Sequence, residues 1–134
     1  MGSSDASFLG NASRWNPEDL LVASVSACHQ LWYLHLCAEN GISVTSYTDN
    51  AQGEMVQEVT GAGRFATVSL SPVVEIQSDD DLALAIQLHG EAHAKCFIGN
   101  SVNFAIECHP VVRHARPKDV APAPSKERHN LPWY

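Results

Sequence analysis

A chain of 134 residues with 45% apolar residues and a formal net charge of −7 has material for one small hydrophobic core. Before residue 113 only Arg14, Arg64 and Lys95 are basic, against most of the 15 Asp and Glu, so the acidic body repels phosphate backbones and no nucleic-acid partner is expected. No apolar run approaches the ~20 residues a membrane span needs, and the N-terminus has neither a basic leader nor an apolar signal core, so no membrane partner is expected and the cytoplasm is the expected location.

Residues 1–15 are rich in Ser, Gly, Asp and Asn and read as an irregular lead-in to a single domain over residues 1–112. A long helix is expected to start at Asn16 as N-cap, with Pro17 at its first position and Glu18 and Asp19 in the first turn, where the dipole favours acids. It should run to Glu39 and stop at Asn40-Gly41. From Leu20 to Cys37 nearly every side is apolar or small, which suits a helix buried by neighbours all round, a second subunit among them.

After Gly41 the period changes to two: Ile42, Val44 and Ser46 share one side, and a turn is expected near Asp49-Asn50. The next strands are read over 53–59 and 64–76, joined by a hairpin at Gly61-Ala62-Gly63, with Pro72 marking an edge or a bulge. Asp79-Asp80-Asp81 should cap a second helix over 82–95, packed through Leu82, Ile86 and His89 or Gly90. A last strand is expected over 102–108, closed by Pro110. Residues 113–134 combine basic residues with Ala-Pro-Ala-Pro and read as a mobile tail that cannot bury enough apolar area to offset its ordering entropy.

Four cysteines in a chain of this composition point to reactive or metal-binding thiols rather than a disulfide framework. Cys28 and Cys37 are nine residues apart on one expected helix, on opposite faces and roughly 13 Å apart along the axis, so they cannot bridge. Cys96, just beyond the second helix, carries no such exclusion. His29 follows Cys28 but points about 100° away from it, which argues against a protease-like pair. Trp32 and His35 lie near the stripe of Cys28 and can line a pocket there. His89, His93 and Cys96 have a spacing able to hold zinc, yet no fourth ligand or second motif accompanies them, so the expected site carries no metal.

The phrase from Asn16-Pro17-Glu18-Asp19 to Ser26-Ala27-Cys28, with Ala92-His93-Ala94-Lys95-Cys96-Phe97-Ile98-Gly99-Asn100-Ser101, resembles the osmotically inducible protein C and organic hydroperoxide resistance (OsmC/Ohr) family of thiol peroxidases. The resemblance covers roughly Asn16 to Pro110. It implies an α+β fold with an antiparallel sheet and two main helices, assembled as an intertwined homodimer. It also implies an organic hydroperoxide substrate, a dithiol or thiol reductant and no bound cofactor. Cys28 would attack the peroxide and Cys96 would resolve the sulfenic acid as a disulfide.

In the family an arginine held by the glutamate of the Asn-Pro-Glu phrase, here Glu18, lowers the pKa of the attacking cysteine. That arginine belongs to strands preceding the helix, which the stretch before Asn16 is too short to supply. Arg14 is the expected substitute and Arg64 the second choice. Glu18 and Cys28 are roughly 15 Å apart along one helix, so the glutamate is expected to serve the cysteine of another subunit. The departure in the N-terminal strands motivates an alternative, a non-catalytic homologue that binds small molecules in the same cleft.

Overall fold

The computed structural model describes residues 16–116. The lead-in, including Arg14, and the tail from residue 117 onward lie outside the described residues.

Helix α1 spans Pro17–Glu39, as its local signals require. The Asn16 side chain accepts a hydrogen bond from the Asp19 N–H at 2.8 Å, satisfying one of the helix's orphan donors. At the other end Gly41 takes a φ of 73°, the left-handed conformation that side-chain-bearing residues avoid, and Ile42 N–H returns to the Cys37 carbonyl at 2.8 Å. By length and composition alone α1 is long and apolar enough to cross a membrane, which corrects the sequence reading. Here Val25, His29, Tyr33, Leu36 and Cys37 turn into the protein's own core. Burial on every side is met on one face only within a single chain: Leu20, Ala27 and Leu31 are exposed.

Four strands follow: β1 (Val44–Asp49), β2 (Gln52–Gln57), β3 (Gly63–Leu70) and β4 (Pro72–Ile76). Then come α2 (Leu82–Lys95), a single 3₁₀ turn (Gly99–Ser101), β5 (Ala105–Cys108) and β6 (Val111–His114). The strands make two three-stranded sheets, ordered β1-β4-β6 and β2-β3-β5. The β1–β4 and β2–β3 pairs are antiparallel, whereas β5 joins β3 and β6 joins β4 in parallel, so the sheets are mixed rather than wholly antiparallel. Pro72 marks neither an edge nor a bulge. It opens β4 where the chain leaves one sheet for the other, a first position at which the missing N–H costs no ladder bond.

Two expectations fail at the C-terminal end. The chain does not stop at Pro110: β6 pairs with β4 from Val73↔Val111 to Ile76↔His114, and Ala115 is buried. Arg113 and His114 therefore belong to the folded body, and Arg113 pairs with Glu75 at 2.8 Å. On α2, capped by Asp81 as expected, Leu82 and His89 pack inward as expected, together with Ala85, Leu88 and Ala92, while Ile86 is exposed.

Helix α1 lies over both sheets. Its first half, through Val22 and Val25, covers a cluster of Phe65, Val68, Leu70, Phe104 and Ile106. Its second half, through Tyr33, Leu36 and Cys37, packs with Ile42, Val74, Ile76 and the α2 residues Ala85, Leu88 and Ala92. A Cβ on Gly53 would stand 2.7 Å from the Phe65 ring and 3.0 Å from Val22, so a side chain there would have to displace the Phe65 ring packed between β2, β3 and α1. Cys28 and His29 fall between the two clusters, at the seam.

Candidate active site

Two side-chain groups occupy the seam, and consecutive residues of α1 feed them. Cys28 is half-buried, and its thiol is near enough to that of Cys96 to act on its titration. Cys96 sits just past the last turn of α2 and is buried. Burial, and after it the Cys28 hydrogen bond and charge, push the Cys96 thiol up to about 11, opposed by hydrogen bonds from the Gly99 and Ile98 backbone. The Gly99 N–H lies 3.3 Å from the Cys96 sulfur. The short turn after α2 thus aims backbone donors at one sulfur of the pair.

Aromatic and basic groups border the two thiols. Trp32, one turn after Cys28, meets Phe97, the residue after Cys96, edge to face at 5.8 Å, and Phe97 is 70% exposed. The Lys95 ammonium stands over the Trp32 ring at 5.7 Å from its centroid. Lys95 is a cation beside the cysteine pair that sequence reasoning passed over; its place next to Cys96 was the available signal. His35 is exposed and pairs with Glu39 instead of lining the pocket. Arg64 is exposed at the hairpin end of β3, opposite Val56.

Glu18 lies in the first turn of α1, ten residues before Cys28 on an unbroken helix, roughly 15 Å away along the axis. One of its carboxylate oxygens, Oε2, is buried without a hydrogen-bond partner among the described residues. Cys37 is buried with Tyr33 in the second core cluster, on the side of α1 away from Cys28, and desolvation raises its pKa.

The second group was not legible in the sequence. His29 turns away from Cys28, and its Nε2 meets His89 Nδ1 at 3.0 Å. The two rings lie edge to edge within 8° of one plane, the arrangement of a proton shared between imidazoles. Tyr33 stacks on the His89 ring at 3.8 Å and donates its hydroxyl to the Ala85 carbonyl. The Cys108 sulfur stands 3.8 Å from His29 Nε2. The set His89, His93 and Cys96 is not assembled: Cys96 faces Cys28, His89 faces His29, and His93 lines an open pocket beside Cys108.

A family model described as OsmC-like protein matches residues 10–110. Among solved structures, an OsmC-like protein of unknown function from Vibrio cholerae is 33% identical with a TM-score of 0.69, over 77% of this chain and 68% of that one. Two others show the fold. A putative organic hydroperoxide resistance protein from Vibrio cholerae, with captopril in one of its active sites, is 24% identical with a TM-score of 0.59, over 82% of this chain and 73% of that one. An organic hydroperoxide resistance protein from Elizabethkingia anophelis is 22% identical with a TM-score of 0.60, over 84% and 78% of the two chains. None of the curated proteins matches the chain.

Proposed function

The chain belongs to the OsmC-like protein family, and from that premise we propose that it is a thiol-dependent peroxidase for organic hydroperoxides, with Cys28 attacking and Cys96 resolving. The observation that carries this reading is the proximity of the Cys28 thiol, on α1, to that of Cys96, just past α2 and 68 positions away in sequence, close enough for Cys28 to act on the titration of Cys96. The structural relatives named organic hydroperoxide resistance proteins supply the substrate class. The Trp32–Phe97 edge offers apolar surface for an organic substituent.

The Cys28 thiolate attacks the distal peroxide oxygen, the O–O bond breaks, and the alkoxide leaves as an alcohol after taking a proton from solvent. Cys28 is then a sulfenic acid. Cys96 is kept protonated until this point in part by the hydrogen bond and charge of Cys28. Both influences fade once Cys28 is a neutral sulfenic acid, while the Gly99 and Ile98 donors remain to favour a Cys96 thiolate. Cys96 attacks the Cys28 sulfur, water leaves, and a disulfide forms. One hydroperoxide and two thiols become one alcohol, one water and one disulfide. An external dithiol returns the pair to the reduced state.

The exposed Leu20 and Leu31 favour a second copy of the chain against α1. In that homodimer one subunit's Glu18 orients Arg14 toward the Cys28 of the other. The test is consumption of cumene hydroperoxide with a dithiol in excess. Many turnovers per subunit are expected. Loss of a single equivalent, or none, would leave the non-catalytic, small-molecule-binding reading in its place.

A further inference from the structure

His29, His89 and Cys108 come from three different elements, α1, α2 and β5, and take no part in the reduction of peroxide by Cys28 and Cys96. One donor atom from each lies within 4.8 Å of the others. The separations include 3.0 Å between the two imidazole nitrogens and 3.8 Å from sulfur to nitrogen. A tetrahedral zinc ion bonded at ~2.0–2.1 Å to nitrogen and ~2.3 Å to sulfur needs donors about 3.3 Å apart for a nitrogen pair and about 3.6 Å apart for nitrogen and sulfur. The two separations that involve His29 therefore stand within a few tenths of an ångström of that geometry, and the third, between His89 and Cys108, is at most 4.8 Å and closes as the rings turn toward the sulfur.

We propose that His29, His89 and Cys108 form a zinc site whose fourth coordination position opens onto the adjacent pocket. The ion takes the place of the proton between the two imidazoles, and that proton moves to the far nitrogen of the ring that held it, so both rings stay neutral; His29 Nδ1 and His89 Nε2 have no hydrogen-bond partner among the described residues. Each ring tilts so that its lone pair meets the other's on the Cys108 side, which opens the nitrogen pair by a few tenths of an ångström. The pocket, of about 290 Å³, is lined by His89 and Cys108 themselves together with Ile86, His93, Ile106 and Pro110. A water or small anion enters from there, with His93 at its side.

Burial prepares the donors. His29 and His89 are both held neutral, which is the ligating state of imidazole. Asp49, fixed by hydrogen bonds from the Ser26 hydroxyl and the Ser71 N–H, acts electrostatically on both His29 and Cys108, and its charge favours a cation between them. The Cys108 thiol, pushed up to about 11 by burial and Asp49, loses its proton to the metal. Two imidazoles and one thiolate form a donor set suited to zinc, and three protein ligands leave a position open.

The experiment is titration of chelator-treated, untagged, reduced protein with Co²⁺, followed by X-ray absorption on the zinc-loaded wild type. One equivalent of Co²⁺ should produce a thiolate charge-transfer band. That band should survive in the Cys28→Ser/Cys96→Ser protein and vanish in Cys108→Ser, with affinity falling by more than the ~10–100-fold that outer-shell changes cost. The zinc edge should report one sulfur and at least two nitrogens. Two sulfurs, or a band that follows Cys28 and Cys96, would place the metal on the redox pair and overturn the proposal. Absence of binding at micromolar metal would overturn it as well. The wild-type absorption measurement decides the matter even if the variants fail to fold.

Discussion

Cys28 and His29 are neighbours on one helix, yet they face opposite kinds of surroundings. The Cys28–Cys96 pair is half open, bordered by an exposed Phe97 and a lysine, and served by backbone donors. The His29–His89–Cys108 group is nearly closed, its imidazoles 1% and 3% exposed and stacked against Tyr33. The half-open side leaves the Cys28 sulfur within reach of a small molecule, as the proposed reaction requires. The more deeply buried side removes charge from its imidazoles and leaves neutral donors. A rotation of about 100° along the helix separates the two environments, so the position of α1 over the seam between the sheets sets both.

The comparison breaks most visibly by exchanging sulfur for oxygen on each side. Cys28→Ser is expected to abolish hydroperoxide consumption, and Cys96→Ser to permit one turnover that leaves Cys28 as a sulfenic acid or a mixed disulfide. Peptide mapping of the wild type after one equivalent of hydroperoxide should show Cys28 linked to Cys96. Cys108→Ser should keep the peroxidase rate, since its sulfur faces His29 and the pocket. A Cys28–Cys108 link would show that the two environments exchange residues and would remove the basis of the distinction.

The ends of α1 were readable from sequence and the histidine pair of the closed side was not, because the two rest on different ranges of interaction. Asn16, Pro17 and Gly41 end a helix through contacts within four residues, so their meaning is local. The phrases around Cys28 and Cys96 are likewise contiguous. The His29–His89 hydrogen bond joins residues 60 apart, and no periodicity marks two polar residues for the same interior. The packed face of α2 was legible at Leu82 and His89 but not at Ala85, Leu88 and Ala92, for a related reason. Ala85 and Ala92 carry little hydrophobic weight, but their small size lets α1 and α2 approach, while the larger Ile86 stays outside. Strand β6 was missed because four residues after a proline carry too little pattern, and its parallel partner β4 is almost forty positions away.

Acid should distinguish the two sides next. Burial, with the charge of His93 and against that of Asp49, lowers the pKa of His29 from 6.5 to about 4. Burial, and after it the neighbouring His29, lowers that of His89 to about 3. Both folded values lie below the unfolded one, so the unfolded chain binds more protons between them. The stability this provides is fully present above pH 6.5 and is lost as the pH falls through that window toward 4 and 3. A tenfold loss of proton affinity on folding is worth about 1.4 kcal/mol, so the two imidazoles together should account for several kcal/mol of acid destabilisation. Urea unfolding of the metal-free protein at a series of pH values should show this slope, and His89→Gln should flatten it by about one proton. A stability that stays level from pH 7 to pH 4.5 would mean that the imidazoles are solvated or already charged in the fold.

The smallest expected effect concerns the cation on the open side, and it decides which residue activates Cys28. A thiol three turns into a helix lies beyond the N-terminal dipole, so a nearby positive charge must favour its thiolate. Arg14, oriented by a partner's Glu18, is the proposed source. An adjacent opposite charge lowers the pKa of an acid by ~1–3, so Arg14→Ala should slow peroxide reduction on the order of 10- to 100-fold at neutral pH. Arg14→Lys should rescue only in part, because an ammonium cannot hold a carboxylate by a fork while facing the thiolate. Lys95 is closer in sequence to the resolving cysteine, but its ammonium is exposed over Trp32 and screened by solvent. Lys95→Met should therefore slow the reaction by only roughly two- to fivefold, and added salt should erase most of that difference. The measurement is the pH dependence of Cys28 alkylation in each variant: a large upward displacement in Arg14→Ala with a slight one in Lys95→Met supports the assignment. The reverse order would move activation from the partner's N-terminus to the subunit's own α2, and would make each cysteine pair self-sufficient without a second copy of the chain.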